Sequence, residues 1–517
     1  MKIQVLDCTL RDGGYINDFA FGECRVKNIL AGIVESGIEC VEIGFLRDNR
    51  KETETTIYDS AKEFPHLISL QKKECKYFAM IVYGTFDIDK LPEKQYCVLD
   101  GIRVTFKKNE IDEALRYIQR IQRKGYIVSA NPTGIHTYSD YEFLELLKKV
   151  NVVGPNIFAL VDTLGVLKKE ELLRYLYLTE NNLNEMVALA LHVHNNMQMA
   201  FAHAQTFIET GRKRDLIIDA SLRGMGRGAG NLCTELLLQY LNDNLGRRYN
   251  LIPILKIIDE QINKIYSETP WGYNLPYYLA ASLSCHPNYA TYLMDKGTVS
   301  IPDMAEILAA IPKEKKSLYD VVLIQKLYLA YQENRIDDSD TLRALQQEIA
   351  DRDVLLLGPG KSMRVEREKI LAYILEYEPY IISINYRPNN IKANKVFISN
   401  SRRYAEQLND ADVIVTSNIQ AHHLPQLNYG SYLNESALSD NALLMLLKVL
   451  IKIGVKQVSL AGLDGFGKLS DNYYRRDMNN YPVVYEKDRC NEEISTALRK
   501  FGKQISIYFI TTTLYQK

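Results

Sequence analysis

Eight short runs of apolar and β-branched residues recur through the first half of the chain. They cover residues 3–8, 40–44, 77–82, 101–106, 127–131, 157–162, 188–193 and 217–221. Amphipathic stretches at 26–36, 112–124, 139–150, 169–181 and 200–210 separate them and predict helices. Strand alternating with helix implies parallel sheet, because parallel neighbours need a long crossover. Eight such repeats in about 250 residues predict a TIM-type (β/α)8 barrel. A doubly wound open sheet is the competing topology, which periodicity leaves open.

The pattern then changes. Residues 254–266, 276–283, 304–310 and 318–333 carry helical periodicity without a clear strand, so 251–351 is expected to be a helical extension of the barrel. The charged, helix-forming stretch 334–353 is the expected boundary. Alternation returns with strands at 354–357, 380–384, 395–399, 412–416, 457–461 and 505–511. Helical stretches at 365–376, 402–408 and 443–453 separate them, which predicts a smaller, Rossmann-like α/β open sheet over 352–517. The first division, 1–250, is the barrel. A chain of 517 residues suits two to four domains.

Composition excludes several classes. Lys plus Arg number 63 against 64 Asp plus Glu, so no basic excess points to nucleic acid. No apolar stretch reaches the ~20 residues of a membrane span. The eight cysteines are dispersed, with no C-x-x-C pair, which fits free thiols in a reducing compartment. The first residues run directly into a strand, leaving no room for a signal peptide. The expectation is a cytoplasmic protein without membrane or nucleic-acid partners, with a homo-oligomer left open.

Five motifs fall at the ends of the predicted strands. They are Asp7-Cys8-Thr9-Leu10-Arg11-Asp12-Gly13-Gly14, Val41-Glu42-Ile43-Gly44, Val161-Asp162-Thr163-Leu164-Gly165, His192-Val193-His194-Asn195-Asn196, and Gly224-Met225-Gly226-Arg227-Gly228-Ala229-Gly230-Asn231. Residues two apart on a strand share a face, so His192 and His194 project together. In a barrel they reach the carboxyl end, where catalytic groups collect. A lone H-x-H is usually an ordinary strand edge, but the chain has only eight His, and this pair precedes two Asn at a strand end. An Arg-Asp pair such as Arg11-Asp12 is by itself most often a solvated salt bridge. After the first strand, beside the seventh and eighth, Asp12 becomes a plausible third ligand. Asn231 has two readings, a helix cap or a fourth ligand through its amide oxygen. The glycine-rich loop before it resembles a phosphate cradle only weakly, since it follows the eighth strand of the barrel.

Two imidazoles, a carboxylate and an amide oxygen form a mixed N/O set without thiolate. Such a set suits Mn²⁺, Mg²⁺, Co²⁺ or Fe²⁺ with open positions, and iron oxygenases share the two-His-one-carboxylate part.

Together the motifs resemble those of the DRE-TIM metallolyase superfamily, which holds the HMG-CoA lyases, the isopropylmalate and homocitrate synthases and the 4-hydroxy-2-oxovalerate aldolases. The segment from Asp219 to Asn231 is most similar to the hydroxy-oxo-acid aldolase branch. The resemblance implies a TIM barrel and a divalent metal, Mn²⁺ or Mg²⁺, on Asp12, His192 and His194, with Asn231 as a further ligand. It implies that Arg11 stabilises enolate charge and that Glu42 supports Arg11. Asp162, Thr133 and His136 are its candidate substrate-binding residues. The implied reaction joins or splits a 4-hydroxy-2-oxo acid into a pyruvate enolate and an aldehyde. An acyl-CoA lyase is the alternative, as is a barrel without chemistry that scaffolds the C-terminal module.

Two departures matter. The condensing synthases follow Arg-Asp-Gly with one residue and then Gln, where this chain has Gly14 and Tyr15. The aldolases place their base, a His, where Tyr15 stands. Tyr15 is therefore one candidate base and His136 another. Beyond the barrel, residues 273–278 and 284–287, with His286, are expected near the substrate entrance.

In the last third, Gly358-Pro359-Gly360-Lys361-Ser362 follows a strand and opens a helix. Its backbone N–H groups and Lys361 could hold the phosphate of a nucleotide or a sugar. A plain turn is the even alternative, and the upstream glycine of a Walker A loop is missing. Asp464, Arg475 and Arg476 are further candidate contacts.

Overall fold

A computed structural model describes residues 2–49, 54–68, 75–210, 214–405, 410–434, 438–467 and 487–516. The chain divides into two compact units. One is residues 1–290 with 312–319; the other is 291–311 with 320–517.

The first unit holds nine parallel strands. They are β1 (Ile3–Asp7), β2 (Cys40–Leu46), β3 (Ile57–Tyr58), β4 (Lys76–Val82), β5 (Gly101–Phe106), β6 (Ile127–Pro132), β7 (Ile157–Asp162), β8 (Ala188–Val193) and β9 (Leu216–Ala220). Their order is β1-β9-β8-β7-β6-β5-β4-β2, and β2 pairs back to β1 through Leu6↔Cys40 and Asp7↔Val41, which closes a barrel. This settles the choice between barrel and open sheet. The eight predicted runs coincide with these strands. The added β3 is two residues long and joins the end of β2 at Phe45↔Ile57, too short for any period to reveal. Gly44 permits this, since a Cβ there would lie 2.0 Å from the Thr56 carbonyl oxygen.

Alternation sorts each strand into two faces. Leu6, Cys40, Ile157, Ala159, Ala190 and Ile217 meet inside the barrel. Val5, Val41, Phe158, Leu160, Leu189, Leu191 and Ile218 pack outward against the helices. Continuing the inward phase puts Glu42, Arg103, His192 and Asp219 in the barrel's interior, all buried.

The expected helical extension over 251–351 is not a unit of its own. Leu251–Ile257, Ile258–Ile262 and Asn263–Glu268 place Ile254, Ile257, Ile262 and Ile265 in the barrel's outer core. Ser339–Ile349 instead buries Leu342, Leu345 and Ile349 in the core of the second unit. The helices follow whichever sheet their apolar stripe covers.

The second unit contains seven parallel strands: β10 (Val354–Leu357), β11 (Tyr380–Ile384), β12 (Lys395–Ile398), β13 (Val413–Thr416), β14 (Gln426–Leu427), β15 (Gln457–Ala461) and β16 (Ser506–Phe509). Their order, β14-β13-β12-β11-β10-β15-β16, reverses direction between β10 and β15. That is the open, doubly wound arrangement expected for 352–517. Among the described residues of either unit, no helix is long and apolar enough to cross a membrane. None of the eight cysteines forms a disulfide among the described residues.

Candidate metal centre

The carboxyl ends of β1 and β8 bring three ligating side chains together. One ligand atom each from Asp12, His192 and His194 lies within 4.8 Å of the other two. Asp12 Oδ2 is 3.8 Å from His192 Nε2 and 3.5 Å from His194 Nε2.

Each imidazole is oriented by its other nitrogen. His192 Nδ1 lies 3.0 Å from Asp219 Oδ2, and His194 Nδ1 lies 2.9 Å from the carbonyl oxygen of Asp162. Carboxylate and carbonyl oxygens only accept, so both Nδ1 atoms carry the proton and donate. In its neutral form each ring would therefore present a bare Nε2 lone pair toward Asp12, the arrangement metal-bound histidines use. Burial lowers the pKa of His192, opposed by Asp219 and Asp12, which keeps the ring in its ligating form.

Buried oxygens without a hydrogen bond gather in this region: Asp12 Oδ2 and Asn231 Oδ1, with Glu42 Oε1 and Asp219 Oδ1 in the surrounding network. Asn231 pairs with His194 in an isolated antiparallel bridge, and its Nδ2 donates to the Met225 carbonyl at 3.1 Å. Its oxygen, not its amide nitrogen, is thus left for a ligand. Gly226 makes room, since a Cβ there would lie 2.4 Å from Asn231 Nδ2. Orphaned buried oxygens beside two oriented lone pairs are costly unless a cation completes them. The donor set, two imidazole nitrogens with a carboxylate and an amide oxygen, fits a divalent metal.

A buried ion network surrounds these residues. Arg11 Nε donates to Glu42 Oε2 at 2.6 Å, and its Nη1 bonds Asp12. Burial raises the Asp12 pKa, but Arg11 and then the two histidines outweigh it, holding the carboxyl well below its usual range. Arg103, from β5 on the far side of the barrel, donates to Glu42 at 3.2 Å and also to Asp219. It therefore joins the acid that holds Arg11 to the acid that orients His192. Arg103 and Asp219 had no assigned role in the sequence. A single arginine within the apolar run 101–106 carries no local signal; only the inward phase of β5 could have singled it out.

The other expected residues divide. Tyr15 follows the turn after Asp12, packs edge-on against Phe19 and Phe45, and carries the Arg227 guanidinium 4.0 Å over its ring. Asp162 does not offer its carboxylate to a substrate. Both its oxygens accept from its own loop, at Val166 N (3.0 Å) and Leu167 N (3.2 Å). Its contribution is the backbone carbonyl that orients His194. The Thr133 hydroxyl is likewise used, donating to the Phe106 carbonyl at 3.1 Å. His136 is half-buried, with an unpartnered Nδ1 and a pKa lowered by burial against the pull of Asp162.

The proposed phosphate loop of the second unit is filled by the chain itself. Gly358 N bonds Ala461 O and Gly360 N bonds Gly462 O, while Ser362 N donates to Asp464 Oδ2 at 2.8 Å. A Cβ on Gly360 would lie 2.5 Å from Asp464 Oδ1. The Asp464 carboxylate takes the place an incoming phosphate would need, so Gly358, Gly360 and Ser362 read as an internally capped turn around Lys361. Arg475 and Arg476 lie outside the described residues.

Residues 101–258 match the HMGL-like family model. Among curated proteins, the chain is 26% identical over 274 residues to oxaloacetate decarboxylase of Mycobacterium tuberculosis, covering 52% of this chain and 79% of that one. It is 25% identical over 260 residues to 4-hydroxy-2-oxovalerate aldolase of Bacillus cereus, covering 50% of this chain and 74% of that one. Among solved structures, the N-terminal domain of a candidate aldolase from Bacteroides vulgatus superposes with a TM-score of 0.49 and 26% identity, over 56% of this chain and 95% of that one. Over residues 101–258 the chain is therefore similar to the HMGL-like family, and the relatives it matches over about half its length are named as aldolases and a decarboxylase.

Proposed function

We propose that the barrel is an aldolase acting on 4-hydroxy-2-oxo acids, with Mn²⁺ or Mg²⁺ as its metal. One observation carries the reading. The Nε2 atoms of His192 and His194 and the free oxygen of Asp12 converge beside Arg11, whose guanidinium is held in place by Glu42. The 4-hydroxy-2-oxovalerate aldolases among its relatives support the substrate class.

In the cleavage direction the chain's groups act as follows. Asp12, His192, His194 and Asn231 would hold the metal, which when bound would supply Lewis-acid polarisation of the 2-oxo group. Tyr15 takes the proton of the 4-hydroxyl. The C4–O bond becomes a carbonyl, the C3–C4 bond breaks, and its electron pair passes to the 2-oxo oxygen. Arg11, itself buried, meets the charge that develops there as a fixed donor. Protonation at C3 then gives pyruvate, and the remaining fragment leaves as an aldehyde. The same groups serve the reverse addition.

Pyruvate release from a panel of 4-hydroxy-2-oxo acids by the Mn²⁺-loaded protein tests the proposal. Metal-dependent turnover of at least one member is expected. A metal-loaded, folded protein that cleaves none of them rejects it, and cleavage of 3-hydroxy acyl-CoA thioesters instead would move the assignment to the acyl-CoA lyases.

A further inference from the structure

One cation at the mouth of the barrel is used neither by the fold nor by the mechanism above. Arg227 is half-buried in the glycine-rich loop after β9. Gly226 on one side closes against Asn231. On the other side a Cβ at Gly228, whose φ is +67°, would lie 2.7 Å from Asn196 Oδ1. The loop is thus clamped to two residues of the metal region, and Arg227 projects between the clamps. Its guanidinium lies over Tyr15, with no ion pair or hydrogen bond among the described residues. Arg223, four residues earlier, shows the contrast. It bonds Asn263 and sits 3.6 Å over the Tyr266 ring, a structural use of the same side chain. A second guanidinium, Arg47, lies 5.6 Å over Phe45, the ring next to Tyr15.

His286 approaches the same place from the helical segment. The helix Leu275–Ser282 packs Ala281 against Leu164 and Val166, with Met197 beside them, so it lies on the loops that follow β7 and β8. His286 comes just after this helix, its ring 6.1 Å from that of Tyr319. The backbone N–H of Asn288 donates to His286 Nδ1 at 3.1 Å. The neutral ring must then carry its proton on Nε2, which makes it a donor at its other end. Burial, then Arg227 and His194, push the His286 pKa down to about 4, so the ring is neutral at ordinary pH.

We infer that Arg227 and the Nε2–H of His286 form a receptor for a second carboxylate on the substrate, at the end remote from the metal. This rests on the reading of the metal centre as a 2-oxo acid site and narrows it. The preferred substrate is a 2-oxo dicarboxylate, and an alkyl-ended 4-hydroxy-2-oxo acid is a poorer one. The chemistry is that of a guanidinium in a partly buried site, unpaired among the described residues, where a carboxylate gains charge-assisted hydrogen bonds. A neutral donor, carried by the segment that packs on the loops after β7 and β8, adds direction without adding repulsion.

Binding without turnover tests the inference directly. Calorimetric titration of the Mn²⁺-loaded full chain would compare 2-oxoglutarate with 2-oxopentanoate. These share chain length and the 2-oxo acid head and differ at the far end. The wild type should bind 2-oxoglutarate about ten-fold or more tightly than 2-oxopentanoate, roughly the gain of one charge-assisted pair. Arg227→Gln should erase most of that preference and leave 2-oxopentanoate affinity little changed. His286→Ala should reduce the preference several-fold, and Arg227→Lys should restore part of it. A purely structural role would weaken both ligands alike. Equal affinities in the wild type, or a full preference surviving in either the Arg227→Gln or the His286→Ala variant, overturns the receptor. Because no bond is cleaved, the result stands apart from the aldolase assay. A preference without pyruvate release keeps the receptor and rejects the aldolase, and pyruvate release without a preference does the opposite.

Discussion

Asp219 accepts the Nδ1–H of His192 at 3.0 Å, and that contact decides which nitrogen of His192 faces Asp12. Asp219→Asn removes the charge that favours this tautomer and loosens Arg103, which bonds the same carboxylate. Metal affinity should fall about 10–100-fold, as is usual when the partner of a metal-bound histidine is altered. Competition with a chelating dye measures it; unchanged affinity in a folded variant would remove Asp219 from the site's architecture.

Metal removal should abolish turnover, and re-addition of Mn²⁺ should restore it. His192→Ala or Asp12→Ala should no longer retain the ion through gel filtration. Undiminished metal content in both variants would sink the ligand assignment.

Arg11→Ala should separate metal binding from chemistry. Metal content should persist, because Asp12, His192 and His194 remain, while kcat falls on the order of 100-fold or more, the usual cost of a lost donor to developing negative charge. A kcat near the wild-type value would exclude Arg11 from the reaction.

Tyr15→Phe should keep metal and fold and lose most of kcat. The hydroxyl is deleted, while the ring that packs on Phe19 and Phe45 is kept. His136→Ala is the matched control. A severe loss in His136→Ala with normal activity in Tyr15→Phe would transfer the proton to the loop after β6.

Asp7 offers a pH test of the fold. It is fully buried, and burial pushes its pKa up to about 6, against hydrogen bonds from Thr9 and Thr234. A folded-state value above the unfolded ~3.9 means the native chain holds this proton more tightly. The group's contribution to stability is then complete below about pH 4 and lost as pH rises through 6. Relative to Asp7→Asn, the wild type should lose roughly 2–3 kcal/mol between pH 4 and 7. Parallel stability curves for the two proteins across that range would contradict the assignment.

How much of this was legible in the sequence depends on how local each signal is. The strands and the convergence of Asp12, His192 and His194 were readable because period two and fixed strand ends are properties of a few consecutive residues. Arg103 was not, because its meaning comes from Glu42 and Asp219, which are 61 residues before it and 116 after it. Asp162 and Thr133 were expected to face a substrate, yet both spend their side chains on nearby backbone, a use that a motif does not distinguish from catalysis. The loop at Gly358 misled for a similar reason. Glycines that admit a phosphate admit a carboxylate equally well, and Asp464 lies 102 residues from Ser362. The helices of 251–351 were recognised as helices, but their allegiance depends on which sheet their apolar stripe meets.

The barrel interior also dictates an order of events. Two guanidiniums, Arg11 and Arg103, face three carboxylates, Asp12, Glu42 and Asp219, in one buried cluster. With neutral imidazoles, that cluster is anionic by one charge. It draws a cation and repels an organic acid. Once a divalent ion is held, the sign inverts, and the same cavity becomes attractive to a carboxylate it would have turned away. The acid cannot profitably arrive first. Association is therefore expected to be sequential, metal before substrate, with the sequence enforced by the sign of the field.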